Sequence, residues 1–214
     1  LTSSLKPVQQ EYARLAPIYD RRWAFYIHQS IGATLNYLNI EPPHRILDLG
    51  CGTGRLLHDL SSRFPEAQLV GLDFSQEMLN IAQERLSDGV ELQVGSADNL
   101  SFLDQSFDLV ISTSAFHYFP NPVIAIQEAT RVLKTGGTLV ISDWCSDYWT
   151  CRILDLWLRL SNRAHIRTYS VKEFEQLLKN QGLTQITIEK YKINWFWGMM
   201  SAQAIKTDLS PSLY

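Results

Sequence analysis

The 214-residue chain lacks most of the features that would commit it to several large classes of protein. It has only three cysteines, Cys51, Cys145 and Cys151, with no Cys-x-x-Cys spacing, which argues against a disulfide framework or a thiolate zinc site. Charged residues make up 19% of the chain and the net charge is -3, so there is no long-range positive field to gather nucleic acid, and no nucleic-acid partner is expected. The sequence does not open with a basic-then-apolar leader, and no apolar run approaches the length needed to span a bilayer. Internal repeats and low-complexity segments are missing as well. A reducing, cytoplasmic setting and a single domain over residues 1–214 are the expectations that follow.

What is present centres on Ile46-Leu47-Asp48-Leu49-Gly50-Cys51-Gly52-Thr53-Gly54-Arg55-Leu56. Arg45 to Leu49 is too short and too apolar for an independent helix and reads as a buried parallel strand. Leu56, Leu57, Leu60 and Phe64 then fall on one helical face. Alternate glycines remove Cβ atoms and permit positive φ, so a ligand can approach the backbone where the helix N-terminus points at it. The spacing is Gly-x-Gly-x-Gly, one residue short of the dinucleotide fingerprint, and no phosphate-loop lysine follows. That disfavours a nicotinamide oxidoreductase. Asp48, just before the first glycine, would repel a pyrophosphate but suits a cationic or amine-bearing ligand.

Along the chain, Val8 to Leu15 and Trp23 to Leu38 read as two helices separated by Pro17, and Glu41-Pro42-Pro43 as a linker. Strands are expected at Gln68 to Leu72, Val90 to Val94, Phe107 to Ser112 and Thr138 to Ser142, with Gly136-Gly137 as a turn. Ser75 is placed to cap a helix with the stripe Met78, Leu79, Ala82 and Leu86, and Ser170 to Glu173 fits a capping box. Asn121 to Leu133 is a helix. Tyr148 to Ser161 reads as an amphipathic helix, with Trp149, Ile153, Leu156, Trp157 and Leu160 on one face and Arg152, Asp155, Arg159 and Arg163 on the other. Leu183 to Lys190 and Asn194 to Lys206 make an antiparallel hairpin with Trp195-Phe196-Trp197 in its second arm, and Thr207 to Tyr214 forms a frayed tail.

Leu47 to Gly54 resembles the first motif of the class I S-adenosylmethionine-dependent methyltransferases, and further pieces of that family recur in order from about Tyr12 to Lys206. The chain is most similar to the small-molecule branch typified by ubiquinone and menaquinone biosynthesis methyltransferases. The resemblance implies an α/β fold: a Rossmann-like, doubly wound, seven-stranded sheet, mostly parallel with a C-terminal antiparallel hairpin and helices on both faces. It implies that S-adenosyl-L-methionine is the cofactor, with S-adenosyl-L-homocysteine as product and no metal. Residues 1–44 would fold over the cofactor and 145–169 would form an inserted, substrate-covering segment.

By the same resemblance the cofactor site holds Tyr19, and after it Tyr12 and Arg22; Asp48, Gly50, Cys51, Gly52 and Gly54; Asp73 on the ribose; Phe74 and Met78 beside the adenine; Ala97 and Asp98 at its amino group; and Thr113 and Ser114, with Ala115 beside them. The stretch Thr113-Ser114-Ala115-Phe116-His117-Tyr118 departs from the Asn/Asp-Pro-Pro-Tyr pattern of nucleic-acid and protein amide methyltransferases. His117 and Asp143 are the candidate acid–base residues. Trp144, Trp149, Trp157, His165 and Tyr169 are candidates for an apolar or aromatic methyl acceptor. Other readings stand beside these. In one, the N-terminal aromatics only pin helices to the core, and Met78 only fills it. The arginines near 152–167 hold an anion or form a wet face. The helix over 148–161 is a cover, an ordinary surface helix or a membrane-surface helix. A non-catalytic S-adenosylmethionine-binding protein is the rival function.

Overall fold

The computed structural model describes residues 6–38, 41, 44–161 and 165–207. The Pro42-Pro43 part of the expected linker, Arg163 and nearly all of the expected tail lie outside them. The chain runs α1 (Lys6–Tyr37), β1 (Arg45–Leu49), α2 (Arg55–Arg63), β2 (Gln68–Asp73), α3 (Gln76–Arg85), β3 (Glu91–Val94) and β4 (Phe107–Thr113). A single 3-10 turn at Phe116–Tyr118 follows, then α4 (Pro122–Val132), β5 (Leu133–Trp144), α5 (Trp149–Ser161), α6 (Val171–Lys179), β6 (Leu183–Lys192) and β7 (Gly198–Lys206).

The seven strands form one sheet in the order β3-β2-β1-β4-β5-β7-β6. β1 to β5 are parallel neighbours, and β7 runs antiparallel to both β5 and β6. The apolar runs explain the burial on both faces. In β1, Leu47 and Leu49 point into a layer with Ile126, Phe174 and Leu178 of α4 and α6. Ile46, on the other side of the same strand, points into the opposite layer with Ile31, Leu57 and Leu79 of α1, α2 and α3. Alternation at period two therefore feeds helices on both sides of the sheet. This is the doubly wound architecture that the resemblance implied, hairpin included.

Both serine caps form as expected. Ser75 Oγ accepts from Met78 N–H at the start of α3, and Ser170 and Glu173 make the reciprocal capping box of α6.

Three local expectations are corrected. The two N-terminal helices are one, α1, with Pro17 inside it. Loss of one backbone bond is offset by contacts on either side of the proline. Tyr12 lies against Phe74 and Tyr118, and Asp20 is held by Thr53 and Arg85. The Gly136-Gly137 pair is not a turn but a bulge within β5, where Gly136 has a φ of 80° and the register against β4 slips between Phe107 and Leu109. Trp195-Phe196-Trp197 lies in the connection rather than the second arm. There Asn194 Oδ1 accepts from the N–H groups of both Phe196 and Trp197 at 2.8 Å, a side-chain turn that competes with the strand ladder.

Candidate active site

The carboxyl ends of the parallel strands converge on one cleft, where ligands of doubly wound sheets bind. β1 ends in the glycine loop, in which Gly50, Gly52 and Gly54 have φ of 76°, 53° and 75°. A Cβ on Gly50 would sit 2.5 Å from the Cβ of Ala115, whereas one on Gly52 would meet nothing within 4 Å. Gly50 thus lets the β4 end approach, and Gly52 leaves open space beside the backbone.

Three carboxylates stand at successive strand ends, and the structure treats them differently. Asp48 is 1% exposed, lines the cleft, and leaves its Oδ2 without a hydrogen-bond partner. Burial, and then repulsion from Asp73, push its pKa well above the usual carboxylate range. Asp73 Oδ2 accepts from Gly52 N–H and Oδ1 from Ser75 N–H, each at 2.9 Å. Burial pushes its pKa up to about 6 against the pull of those amides. Each of its oxygens keeps a lone pair, as two neighbouring hydroxyls would require. Asp98 does not reach the cleft; it is turned to Ser96 and to Asn121 Nδ2, the latter at 3.0 Å.

Tyr19, Asp48, Gly50, Cys51, Gly52, Asp73, Phe74, Met78, Thr113 and Ser114 all line the cleft, while Gly54, Ala97 and Asp98 do not. Gly54 sits one step behind, as the N-cap of α2, and Ala97 is buried in the core. Tyr12 lines the cleft as well, and Ala115 lies beside Ser114 in it as the resemblance implied; Tyr26, Thr53, Arg55, Tyr118 and Phe119, which the sequence did not single out, line it too. α1 is fastened across the opening. Asp20 accepts from Thr53 Oγ1 at 2.7 Å and pairs with Arg55 and Arg85. Burial raises the pKa of Asp20, but those donors outweigh it and hold the carboxyl below its ordinary value. With Tyr12 and Tyr19 inserted, the cleft measures about 90 Å³, well below the roughly 300–1,000 Å³ of small-molecule pockets.

Next to this cleft, at the ends of β4 and β5, the structure brings His117, Asp143, Trp144 and His165 into one buried cluster, while Tyr169 packs instead in the core against Phe116 and Phe174. His117 Nδ1 lies 2.7 Å from Asp143 Oδ1, and Asp143 Oδ2 accepts from His117 N–H at 2.9 Å. His165 Nε2 lies 2.8 Å from Asp155 Oδ1. Burial holds the His165 pKa below its ordinary value despite Asp155, so its imidazole is neutral near pH 7. Among the described residues, the opposite ring nitrogens, His117 Nε2 and His165 Nδ1, have no hydrogen-bond partner. Trp144 stacks on His117 at 4.3 Å between centroids and donates its Nε1–H to Tyr26 O–H at 2.7 Å. Tyr26 also bonds Ser114 Oγ at 2.7 Å, so this one side chain of α1 forms a wall between cleft and cluster.

Trp149 and Trp157 are not part of this cluster. They are 69% and 60% exposed on the outer face of α5. That helix instead turns Thr150, Cys151 and Asp155 inward, so Asp155, expected on the wet face, is the buried partner of His165. The three cysteines are free and buried. Among the described residues no cluster of His, Cys, Asp and Glu is arranged to hold a metal.

The residues present fit S-adenosylmethionine. The orphaned, buried carboxylate of Asp48 suits an ammonium, Asp73 suits a ribose diol, and Phe74 and Met78 offer an apolar wall. A family model described as a methyltransferase domain matches residues 40–192. A malonyl-[acyl-carrier protein] O-methyltransferase of Methylococcus capsulatus is 32% identical over 166 residues, which are 76% of this chain and 60% of that protein. A demethylmenaquinone methyltransferase of Thermotoga maritima is 43% identical over 99 residues, 46% of this chain and 43% of that one. This chain therefore spans less than two thirds of the length of either relative. An S-adenosylmethionine-dependent methyltransferase structure from Thermotoga maritima superposes with a TM-score of 0.76 at 22% identity, covering 93% of this chain and 99% of its own, and shares the fold. By strand-end chemistry, fold and family model together, the chain belongs to the class I S-adenosylmethionine-dependent methyltransferases.

Proposed function

We propose that this chain methylates a small, apolar or aromatic molecule in the cytoplasm, at an atom that must lose a proton. The observation that carries this reading is the buried His117–Asp143 pair, with Nε2 unpartnered beside the cofactor cleft. S-adenosylmethionine, when bound, supplies an electrophilic methyl on a sulfonium, so the protein has to position the acceptor and exclude water. Asp143 holds the Nδ1–H tautomer of His117 and leaves Nε2 to take the acceptor's proton. Trp144, Tyr118 and Tyr26 form the aromatic wall against which a flat or apolar acceptor would lie. His165 with Asp155 orients its polar end. The chain acts as a single domain in which 1–44 is the cover of the cofactor and 145–169 that of the acceptor.

Calorimetric titration of S-adenosylmethionine and S-adenosylhomocysteine into wild type and Asp73→Ala comes first, followed by a panel of phenols, enols and amines read by release of S-adenosylhomocysteine. Tight wild-type binding lost in Asp73→Ala, with turnover of a phenol or enol, supports the reading. Cofactor binding without turnover of any protic acceptor would overturn the role given to His117.

A further inference from the structure

α5 packs on the domain without covering its broadest apolar stripe. Its inner face is mixed, with Thr150, Cys151 and Asp155 buried and Leu154 and Leu158 half-buried: Thr150 Oγ1 donates to the Phe196 carbonyl at 2.6 Å, and Asp155 accepts from Thr168 N–H at 2.7 Å while holding His165. Its outer face carries Trp149, Ile153, Leu156, Trp157 and Leu160, which are between 60% and 84% exposed. At about 100° per residue these five fall within an arc of roughly 100°. No acidic residue interrupts the stripe. Arg152 and Arg159 border one edge; Arg159 pairs with Asp155 at 2.6 Å, and Arg152 makes no ion pair among the described residues.

A contiguous apolar stripe of this kind marks a docking surface rather than ordinary surface scatter. Two observations choose the occupant. Against a second copy, a two-fold contact through this stripe would set Arg152 and Arg159 near their own copies, and five side chains fall far short of the roughly 20–30 residues a side of a stable interface. An anionic bilayer meets both features at once, with indole rings at headgroup depth, aliphatic side chains below and arginines against lipid phosphates. No described helix is long and apolar enough to cross a membrane, which leaves α5 lying in the interfacial plane. We propose that α5 docks this protein on an anionic membrane surface through Trp149, Ile153, Leu156, Trp157 and Leu160, with Arg152 reading lipid charge. The surface stands on α5 alone and is independent of the methyl-transfer reading. Its consequence for that reading is that the inner face of the same helix, which holds His165, would meet an acceptor arriving from the lipid.

The test is co-sedimentation with vesicles of phosphatidylcholine alone or mixed with phosphatidylglycerol, for wild type, Ile153→Ser/Leu156→Ser/Leu160→Ser and Arg152→Gln. Wild type is expected to bind the mixed vesicles and to weaken with salt. The triple variant should lose about tenfold or more of its partition, and Arg152→Gln should lose preference for the anionic lipid. All substituted residues are exposed, and unchanged thermal unfolding and S-adenosylhomocysteine binding establish that the variants are folded. Absence of wild-type binding, undiminished binding by the triple variant, or a wild-type dimer that the triple variant dissolves would each overturn the proposal.

Discussion

The two halves of the site are built by different means. On the cofactor side the chemistry comes from a short reach of chain: Asp48 and the glycine loop lie within seven residues, and Asp73 closes on Gly52 from 21 residues away. On the acceptor side the contacts are assembled over distance. Tyr26 bonds Ser114 across 88 residues and Trp144 across 118, and His117 meets Asp143 across 26. The first half is backbone geometry at strand ends, fixed once the sheet forms. The second half is side chains from α1, β5 and the α5 insertion meeting in a common interior, so it can change acceptor without disturbing the cofactor.

The largest effect that would test this division is expected at Gly50. Gly50→Ala puts a Cβ 2.5 Å from the Ala115 Cβ on a residue with φ of 76°, a left-handed conformation costing an L-residue roughly 1–2 kcal/mol before any clash. Urea unfolding should show a loss of at least about 2 kcal/mol, and calorimetry should show cofactor binding abolished. Ala115→Gly in the same chain should return only part of the stability, since it removes the clash and not the strain. Full rescue would mean that the loop's left-handed geometry carries none of the cost.

Next comes His117→Gln, the counterpart on the acceptor side. With an acceptor in hand, kcat should fall about 10²–10⁴-fold while S-adenosylhomocysteine affinity stays at its wild-type value. A parallel loss of cofactor affinity would break the separation of the two halves.

A smaller effect comes from Asp73. Its pKa is pushed up to about 6 by burial, from an unfolded value of about 3.9. The folded state therefore holds this proton more tightly, and the contribution is fully present below about pH 4 and lost as pH rises through about 6. The protein without cofactor should lose on the order of 3 kcal/mol over that span from this group, and Asp48, shifted the same way, adds in the same direction. Asp73→Asn should flatten the dependence in thermal or urea unfolding at stepped pH. Cofactor affinity should run the opposite way, rising about tenfold from pH 5 to 7, because hydroxyl donors favour the ionised carboxylate. Affinity independent of pH would mean that Asp73 does not bind the ligand.

What was legible in the sequence follows the same division. Apolar runs punctuated by glycine and aspartate announced the strands and their ends, and serine caps announced α3 and α6, because those signals are carried by neighbouring residues. The continuity of α1 through Pro17 was not legible, since its cause lies in Asp20 meeting Thr53 and Arg85. Nor was the burial of Asp155, whose charge reads as solvent-facing until His165 and Thr168 N–H are brought to it. The orientation of α5 was left open for a related reason. Periodicity located its apolar stripe but carries no information on which way the stripe faces, and in this fold the stripe stays exposed while Thr150, Cys151 and Asp155 turn in. Asp98 shows the converse: a strand-end acid in the expected order, diverted to Asn121 by the loop it sits in.

The smallest expected effect is also the most discriminating, because it compares two equivalent caps in the two halves. Ser75→Ala and Ser170→Ala each remove a side-chain acceptor from a helix N-terminus, and each should cost about 1 kcal/mol in urea unfolding. Their effects on binding should differ. The N–H of Ser75 donates to Asp73 Oδ1, while the Ser75 hydroxyl holds Met78 N–H, so loosening this cap lets Asp73 and the cleft-lining Met78 drift and should weaken S-adenosylhomocysteine by a few-fold. Among the described residues Ser170 engages only Glu173 through its side chain, and α6 lies behind the sheet, so Ser170→Ala should leave that affinity unchanged. Equal losses of affinity would show that cofactor binding reads global stability, and that the local construction of the cofactor half confers no independence on it.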